Sequence, residues 1–461
     1  MTRLFFKTFL ATCLLLLVLF LGVKVVKVLW SSREPETLHI DSSLPPPAVR
    51  VQIEGYTAFV PPGPERLPDV PKDLLRSVRE GTKLVTGLHL DKKKCVPGQS
   101  LSKEASTTWR RCLGDYLVAA VDETGGMQVV EVYGGKSDFP MGFSVTCERD
   151  GACDGGVNPP FIISSPPGWT AVAVRTAVYG KGPDGIDAAV YVPYSTRLNN
   201  PELRQAGLEY LRKAVLGASY EVLAKDIESN YVPGARITDF GTPDHVIALI
   251  LTEQMWSDTG FAGGADLERL DMLDRALVTL GLNRWRSYQY TKSWADARGI
   301  GQIVGTPYKA IRKQYPRLDL PEDDVWGRKD HHNAIKVMIA HTDAEWWTFM
   351  GNEEKAHRAH LLGNTWDRQL VFAAGYNANV ATVHRAIHTC GESWREESCT
   401  ELPVETRLYL IKYEWIYQVL FDEEFRARVE STVWPQILET DQVAQAEYAR
   451  RHATADAQAT N

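Results

Sequence analysis

The hydrophobic rhythm of the chain changes along its length, and each change predicts a different kind of element. Residues 8–23 are almost wholly apolar, with Arg3 and Lys7 before them and Lys24 and Lys27 after them. That run is slightly short of the roughly 20 residues that span a bilayer. Val25, Val26, Val28, Leu29 and Trp30 lengthen it, and the flanking lysines can reach back to the interface. Residues 1–30 therefore read as an N-terminal transmembrane helix. The competing reading, a cleaved signal peptide, needs a small-residue cleavage site, and Val28-Leu29-Trp30 is a poor one. Either way the bulk of the chain lies in the periplasm or otherwise outside the cytoplasmic membrane. Residues 31–69 lose the pattern and gain prolines, among them Pro45, Pro46, Pro47, Pro61, Pro62 and Pro64, as an extended linker does.

Short β-branched runs follow. Residues 116–121 and 127–133 flank Asp-Glu-Thr-Gly-Gly and predict a hairpin; residues 170–179 and 188–192 predict two more strands around Gly-Pro-Asp-Gly. Residues 70–195 read as a small β-rich accessory module. From about residue 200 the period becomes helical. Leu203, Leu208, Leu211, Val215, Leu216, Tyr220 and Leu223 line one face of a helix over 201–228, which opens on Asn-Asn-Pro-Glu. Helices joined by short turns continue over 196–435, and 436–461 form a polar, Ala-rich tail. The fold class is α+β: a mainly helical domain preceded by a smaller β-rich module.

A length of 461 residues suits two modules plus linkers. The net charge of −7 argues against a nucleic-acid binder, whose footprint is basic. Apart from Cys13, the cysteines fall into three sequence-local couples: Cys95 with Cys112, Cys147 with Cys153, and Cys390 with Cys399. Each would close a short polar loop, which fits disulfides in an oxidising compartment. Zinc would need two close pairs at ligand spacing, and none is present. His331, His332, His357 and His360 lack the His-Glu-x-x-His order of a metalloprotease and read as polar helix-face residues. No metal or cofactor is expected. Trp326, Trp346, Trp347 and Trp366 are candidates for stacking on sugars, although Trp at helical spacing is more often core.

Candidate chemistry centres on residues 245–256, HVIALILTEQMW. Five aliphatic residues make a nearly continuous apolar helix, and Glu253 stands at its C-terminal end. Desolvation and the negative end of the helix dipole both oppose ionisation there, which suits a general acid. Taken alone, such a Glu is more often a solvated or salt-bridged helix terminus.

Further motifs change that reading. Residues 293–304, SWADARGIGQIV, resemble the lytic transglycosylase motif in which a Ser precedes Gly-Ala-x-Gly-x-x-Gln; the matching positions are Ser293, Ala297, Gly299 and Gln302. Residues 372–387 resemble the family's Ala-Tyr-Asn-Ala-Gly segment through Tyr376 and Asn377, with Asn379 in place of the usual Gly. Residues 402–409, LPVETRLY, resemble its Leu-Pro-x-Glu-Thr-x-x-Tyr stretch, with Glu405 and Tyr409 in place. Asn333-Ala334-Ile335 is similar to the family's Asn-Ile helix start. The resemblance covers a little under half the chain. It departs where Gln254 replaces the Ser that commonly follows the catalytic Glu, and where an insert over 270–283 lengthens the path from Glu253 to Gln302.

The resemblance implies a lysozyme-like catalytic domain of the soluble lytic transglycosylase type, in a membrane-bound form. Glu253 would be the single catalytic acid/base. Ser293, Gly299, Gln302, Tyr376, Asn377 and Glu405 would bind substrate, with Glu405 opening the next helix and organising the cleft and Tyr409 packing. The reaction would cut the N-acetylmuramic acid–N-acetylglucosamine bond of peptidoglycan with 1,6-anhydro ring formation. Partners would be glycan strands, the inner membrane through the N-terminal helix, and an envelope protein complex. Two alternatives stay open: a muramidase using Asp258 or Asp266 as second carboxylate, and a non-catalytic wall-binding factor. Glu268 is a rival for the acid, in a charged rather than an apolar setting.

Overall fold

A computed structural model of the chain describes residues 72–88, 116–132, 143–147, 161–179, 186–255, 258–293, 295–350 and 364–440. The transmembrane helix over 1–30, the linker over 31–69, Cys95, Cys112, Cys153, His357 and His360 lie outside the described residues. So do most of the polar tail and the side chains of Cys147, Trp346, Trp347 and Asp258. Among the described residues no helix is long and apolar enough to cross a membrane.

The fold is α+β. Helix α1 (Lys72–Gly87) precedes strands β1 (Tyr116–Val121), β2 (Met127–Val132), β3 (Ser144–Cys147), β4 (Phe161–Ser165), β5 (Thr170–Tyr179) and β6 (Ile186–Tyr191). Four strands form an antiparallel sheet in the order β2-β1-β5-β6, and β3 pairs with β4 separately. The β1–β2 hairpin is the one the sequence predicts. Asp122 Oδ1 accepts hydrogen bonds from the backbone of Thr124 and Gly126, which closes its turn.

Every residue of β1 is buried, because both faces of the sheet are covered. Val118 and Ala120 point towards Phe143, Val145 and Phe161 of the second pair of strands. Ala119 and Val121 point towards Leu74, Val78 and Val85 of α1. A helix at the head of a β-rich stretch is not what the strand signals predict. Its apolar positions recur three to four residues apart, but they are few among Lys, Arg and Glu.

The helical part continues with α2 (Pro201–Ala224), α3 (Pro243–Gln254), α4 (Asp258–Gly263), α5 (Asp266–Asn283), α6 (Gly305–Gln314), α7 (Asp324–Lys329), α8 (His331–Met350), α9 (Thr365–Asn377), α10 (Val380–Cys390), α11 (Val404–Phe421) and α12 (Glu423–Thr440). Asn200 caps α2 by accepting from the Leu203 amide, with Pro201 at the first helical position. The predicted 270–283 insert is the body of α5, and it lies across α2 at a very close approach. A Cβ added to Gly207 would overlap the Leu277 carbonyl, and one added to Gly281 would overlap the Leu203 carbonyl.

The sheet and the helices share apolar packing: Val278 of α5 belongs to the cluster formed by α1 and the sheet. Asn283 at the end of α5 accepts from the Val192 amide (2.7 Å) and donates to the Val192 carbonyl (2.9 Å) just past β6. A buried Arg204–Asp274 pair at 2.5 Å adds a polar link between α2 and α5. The Cys390–Cys399 disulfide is present and closes the turn between α10 and α11.

Candidate functional site

Helix α3 is the most buried helix of the molecule's centre. Thr242 caps it by accepting from the His245 amide, Pro243 opens it, and every residue from His245 to Thr252 is buried. Its neighbours include α2, α5, α8 and α11. Glu253 follows in the last turn with a half-buried side chain. The hydroxyl of Tyr409, on α11, donates to Glu253 Oε1 at 2.8 Å. One turn further along α11, buried Lys412 donates to the Met255 carbonyl at 2.9 Å. That ammonium satisfies a carbonyl at the negative end of α3 and sets a positive charge near the carboxylate.

Gln254 turns the other way. Its Nε2 donates to the carbonyls of Gly299 (3.2 Å) and Ile300 (2.8 Å), so the residue after Glu253 carries the 299–302 loop. Gly299 is required there: its φ is +72°, and a Cβ would overlap the Arg328 carbonyl. Gln302, also left-handed at φ 45°, donates through its side chain to the Gly299 carbonyl at 2.8 Å. Ser293 Oγ accepts from the Ala297 amide at 3.1 Å and braces the loop from its start. Behind it, buried Arg328 of α7 donates to the Ile303 carbonyl (3.1 Å), the Asp296 carbonyl (2.6 Å) and the Asp324 carboxylate (2.8 Å). Burial opposes ionisation of Asp296, but Arg298 and Lys292 outweigh it and hold that carboxyl well below the usual range.

Tyr376 ends α9 and donates its hydroxyl to the Gly301 carbonyl of the same loop. Burial, then the charges of Glu253 and Glu345, push its ionisation well above that of an ordinary tyrosine, so it remains a donor. Asn377 Oδ1 accepts from Thr406 Oγ1 at 2.9 Å, tying α9 to α11.

Four separate stretches thus meet around one carboxylate: the end of α3, the 299–302 loop, α9 and α11. Glu253, Gly299, Gln302, Tyr376 and Asn377 all belong to this assembly, with Ser293 at its margin. Glu405 is the exception. It is exposed on the first turn of α11, and its neighbour Thr406 makes the contact to Asn377. Glu405 lies on the same side of α11 as Tyr409, four residues later, but it stands in the first turn, where that side is open to solvent.

His331 also departs from the surface reading. It is buried, with Nδ1 on the Tyr210 hydroxyl (2.8 Å) and Nε2 on the Ser287 carbonyl (2.7 Å). His332 pairs with Glu221. Trp366 packs against Tyr413 and Tyr417, whereas Trp326 is exposed.

The rival carboxylates have other work. Trp415 Nε1 donates to Asp266 Oδ1 at 3.0 Å, and Glu268 accepts from the Ala265 amide at the start of α5. The pair that sequence reasoning missed is Glu345 with His341. Glu345 is buried on α8, its Oε2 3.5 Å from His341 Nδ1, and the His341 ring packs edge-on against Tyr376 at 5.5 Å. Their i, i+4 spacing on an apolar helix was the available signal. No family model, curated protein or solved structure matches the chain.

Proposed function

We propose that the chain is a membrane-anchored peptidoglycan lytic transglycosylase with Glu253 as its single acid/base. The observation that carries the reading is the convergence on Glu253. Its Oε1 takes the Tyr409 hydroxyl, its neighbour Gln254 holds the Gly299 and Ile300 carbonyls, and Tyr376 binds the next carbonyl of the same loop. Glu253, Gly299, Tyr376 and Tyr409 are positions through which the sequence resembles the family, Gln254 is a departure from it, and the reading includes a lysozyme-like fold for the helical part.

In the proposed reaction Glu253 gives its proton to the glycosidic oxygen as the bond from that oxygen to the muramic C1 breaks. The 2-acetamido oxygen of the sugar shields the developing oxocarbenium, the task of a second carboxylate in ordinary glycosidases. Glu253, now ionised, takes the proton of the muramic C6 hydroxyl, whose oxygen closes onto C1. The first proton leaves on the departing sugar's hydroxyl, the C6 proton restores Glu253, and no water is consumed. The Tyr409 hydroxyl keeps the carboxylate aimed through both halves.

The test is release of soluble muropeptides from purified sacculi by the full-length chain and by its Glu253→Gln variant. Loss of an acid/base group costs roughly 10²- to 10⁴-fold. A drop of that size, at unchanged thermal stability, is expected. Equal release by the two proteins would remove Glu253 from the chemistry.

A further inference from the structure

Away from Glu253, two adjoining hollows of about 450 Å³ and 340 Å³ lie where α1 and the sheet meet the end of α5. They share Val190, Trp285 and Arg286, so Trp285, exposed at 56%, stands as a ridge between them. The larger hollow is also lined by Arg175, Tyr290 and exposed Trp326, and the smaller by Arg79 and Arg284. Among the described residues four guanidinium groups thus line the groove and no carboxylate does, in a chain whose net charge is −7.

None of the four arginines is paired with an acid among the described residues. Arg286 lies over the Trp285 ring at 5.0 Å. Arg175 is fixed by donating to the last carbonyls of α1, at Val85 and Thr86, and its Nε has no hydrogen-bond partner. Unpaired cations gathered in one place repel one another and persist in a fold only where something else favours them.

We infer that this groove is a second, non-catalytic binding site for a carboxylate-bearing glycan strand. Arginine forks bind carboxylates in paired hydrogen bonds, and indole faces present flat apolar area to the CH faces of pyranose rings. A concave groove with a ridge inside does not fit a planar bilayer surface. The protein's negative charge opposes the denser phosphate charge of nucleic acid. That the strand is peptidoglycan, with its lactyl and stem-peptide carboxylates, rests on the proposed function.

The groove is also joined to the candidate acid. Tyr290 precedes Thr291, whose carbonyl accepts from the Gly299 amide at 3.1 Å, and the Gly299 carbonyl is held by Gln254. Trp326 sits on α7 two residues before Arg328, which supports the same loop. A strand gripped at Trp285 and Trp326 is therefore held by the segment that carries the loop under Glu253.

The test measures sedimentation of full-length protein with sacculi, in a Glu253→Gln background so that nothing is cut. The substituted groove carries Arg79→Ala, Arg284→Ala and Arg286→Ala together, with Trp285→Ala as a separate variant. All four residues are exposed, so folding is checked by an unchanged melting temperature. Arg175 is left intact because it caps α1. Each variant is expected to bind sacculi at least tenfold more weakly, and the triple variant to lose most of the salt dependence of binding. Chitin, a neutral glycan, is expected to bind weakly and equally to all. Undiminished binding to sacculi by both variants would overturn the site. Arginine-dependent binding that was tighter to anionic vesicles or to single-stranded DNA than to sacculi would overturn the assigned ligand. Groove-dependent sacculus binding, together with no release of muropeptides by the protein that retains Glu253, would sink the proposed function and leave the groove standing.

Discussion

In the proposed reading, Tyr409 is what separates a positioned acid from a carboxylate that merely ends a helix. Its hydroxyl donates to Glu253 at 2.8 Å, and it arrives from a helix more than 150 residues away in sequence. Tyr409→Phe keeps the ring in the core and removes the hydroxyl that donates to Glu253. It should lower kcat on sacculi by about 10- to 100-fold with little change in KM, as loss of one aimed donor does. A variant with wild-type kcat would show that the hydroxyl is structural.

The sequence pointed to Glu253 because an aliphatic run followed by a single carboxylate is legible in one dimension. It pointed to Tyr409 only as a packing residue, since a tyrosine on an apolar helix does not announce where its hydroxyl goes. Glu405 opens α11 as the sequence suggests, but it is exposed there. Charge drew attention to it, while the uncharged neighbour Thr406 makes the contact to Asn377. Gln254 stood out as a departure, and its amide proves to support the loop beside the acid.

Among the elements, strands and long helices were legible because their periods are strong; β1, β5, α2 and α3 lie close to their predicted limits. The crossing of α2 and α5 was not, although Gly207 and Gly281 are its cause. Glycine within a helix reads as a weakness until the partner helix is known, and here each admits a backbone carbonyl of the other helix. Gly207→Ala has a higher intrinsic helix propensity, yet it should destabilise the protein by about 1–3 kcal/mol or more, because the helices must part. Thermal or urea unfolding measures this. A stability gain would mean that the crossing is looser than described.

At the scale of the whole molecule, buried ionisable groups set the dependence of stability on pH. Burial pushes His331 down to about 4 and His245 down to about 3, from an ordinary 6.5. The unfolded chain therefore binds more protons than the folded one between those values. The stability these neutral histidines contribute is whole above pH 6.5 and is lost as pH falls towards 4 and then 3. Asp274, raised by burial to about 6 despite Arg204, acts in the opposite sense between 3.8 and 6. His331→Gln keeps an acceptor for Tyr210 and a donor for Ser287 without the titration. It should flatten the loss between pH 6.5 and 4 by about 3 kcal/mol relative to the parent. Parallel curves would mean that burial does not shift the proton affinity of His331 on folding.

The sheet is part of that same whole. Val278 lies in its core cluster and Asn283 clamps the end of β6, contacts that no local pattern reveals.

The proposed reaction is most directly tested by the mass of its products. Sacculi digested by the full-length chain should release muropeptides one water lighter than hydrolytic ones, as 1,6-anhydro ring closure requires, and the Glu253→Gln variant should release none. Muropeptides at the hydrated mass would contradict a single acid/base and require a second group to activate water.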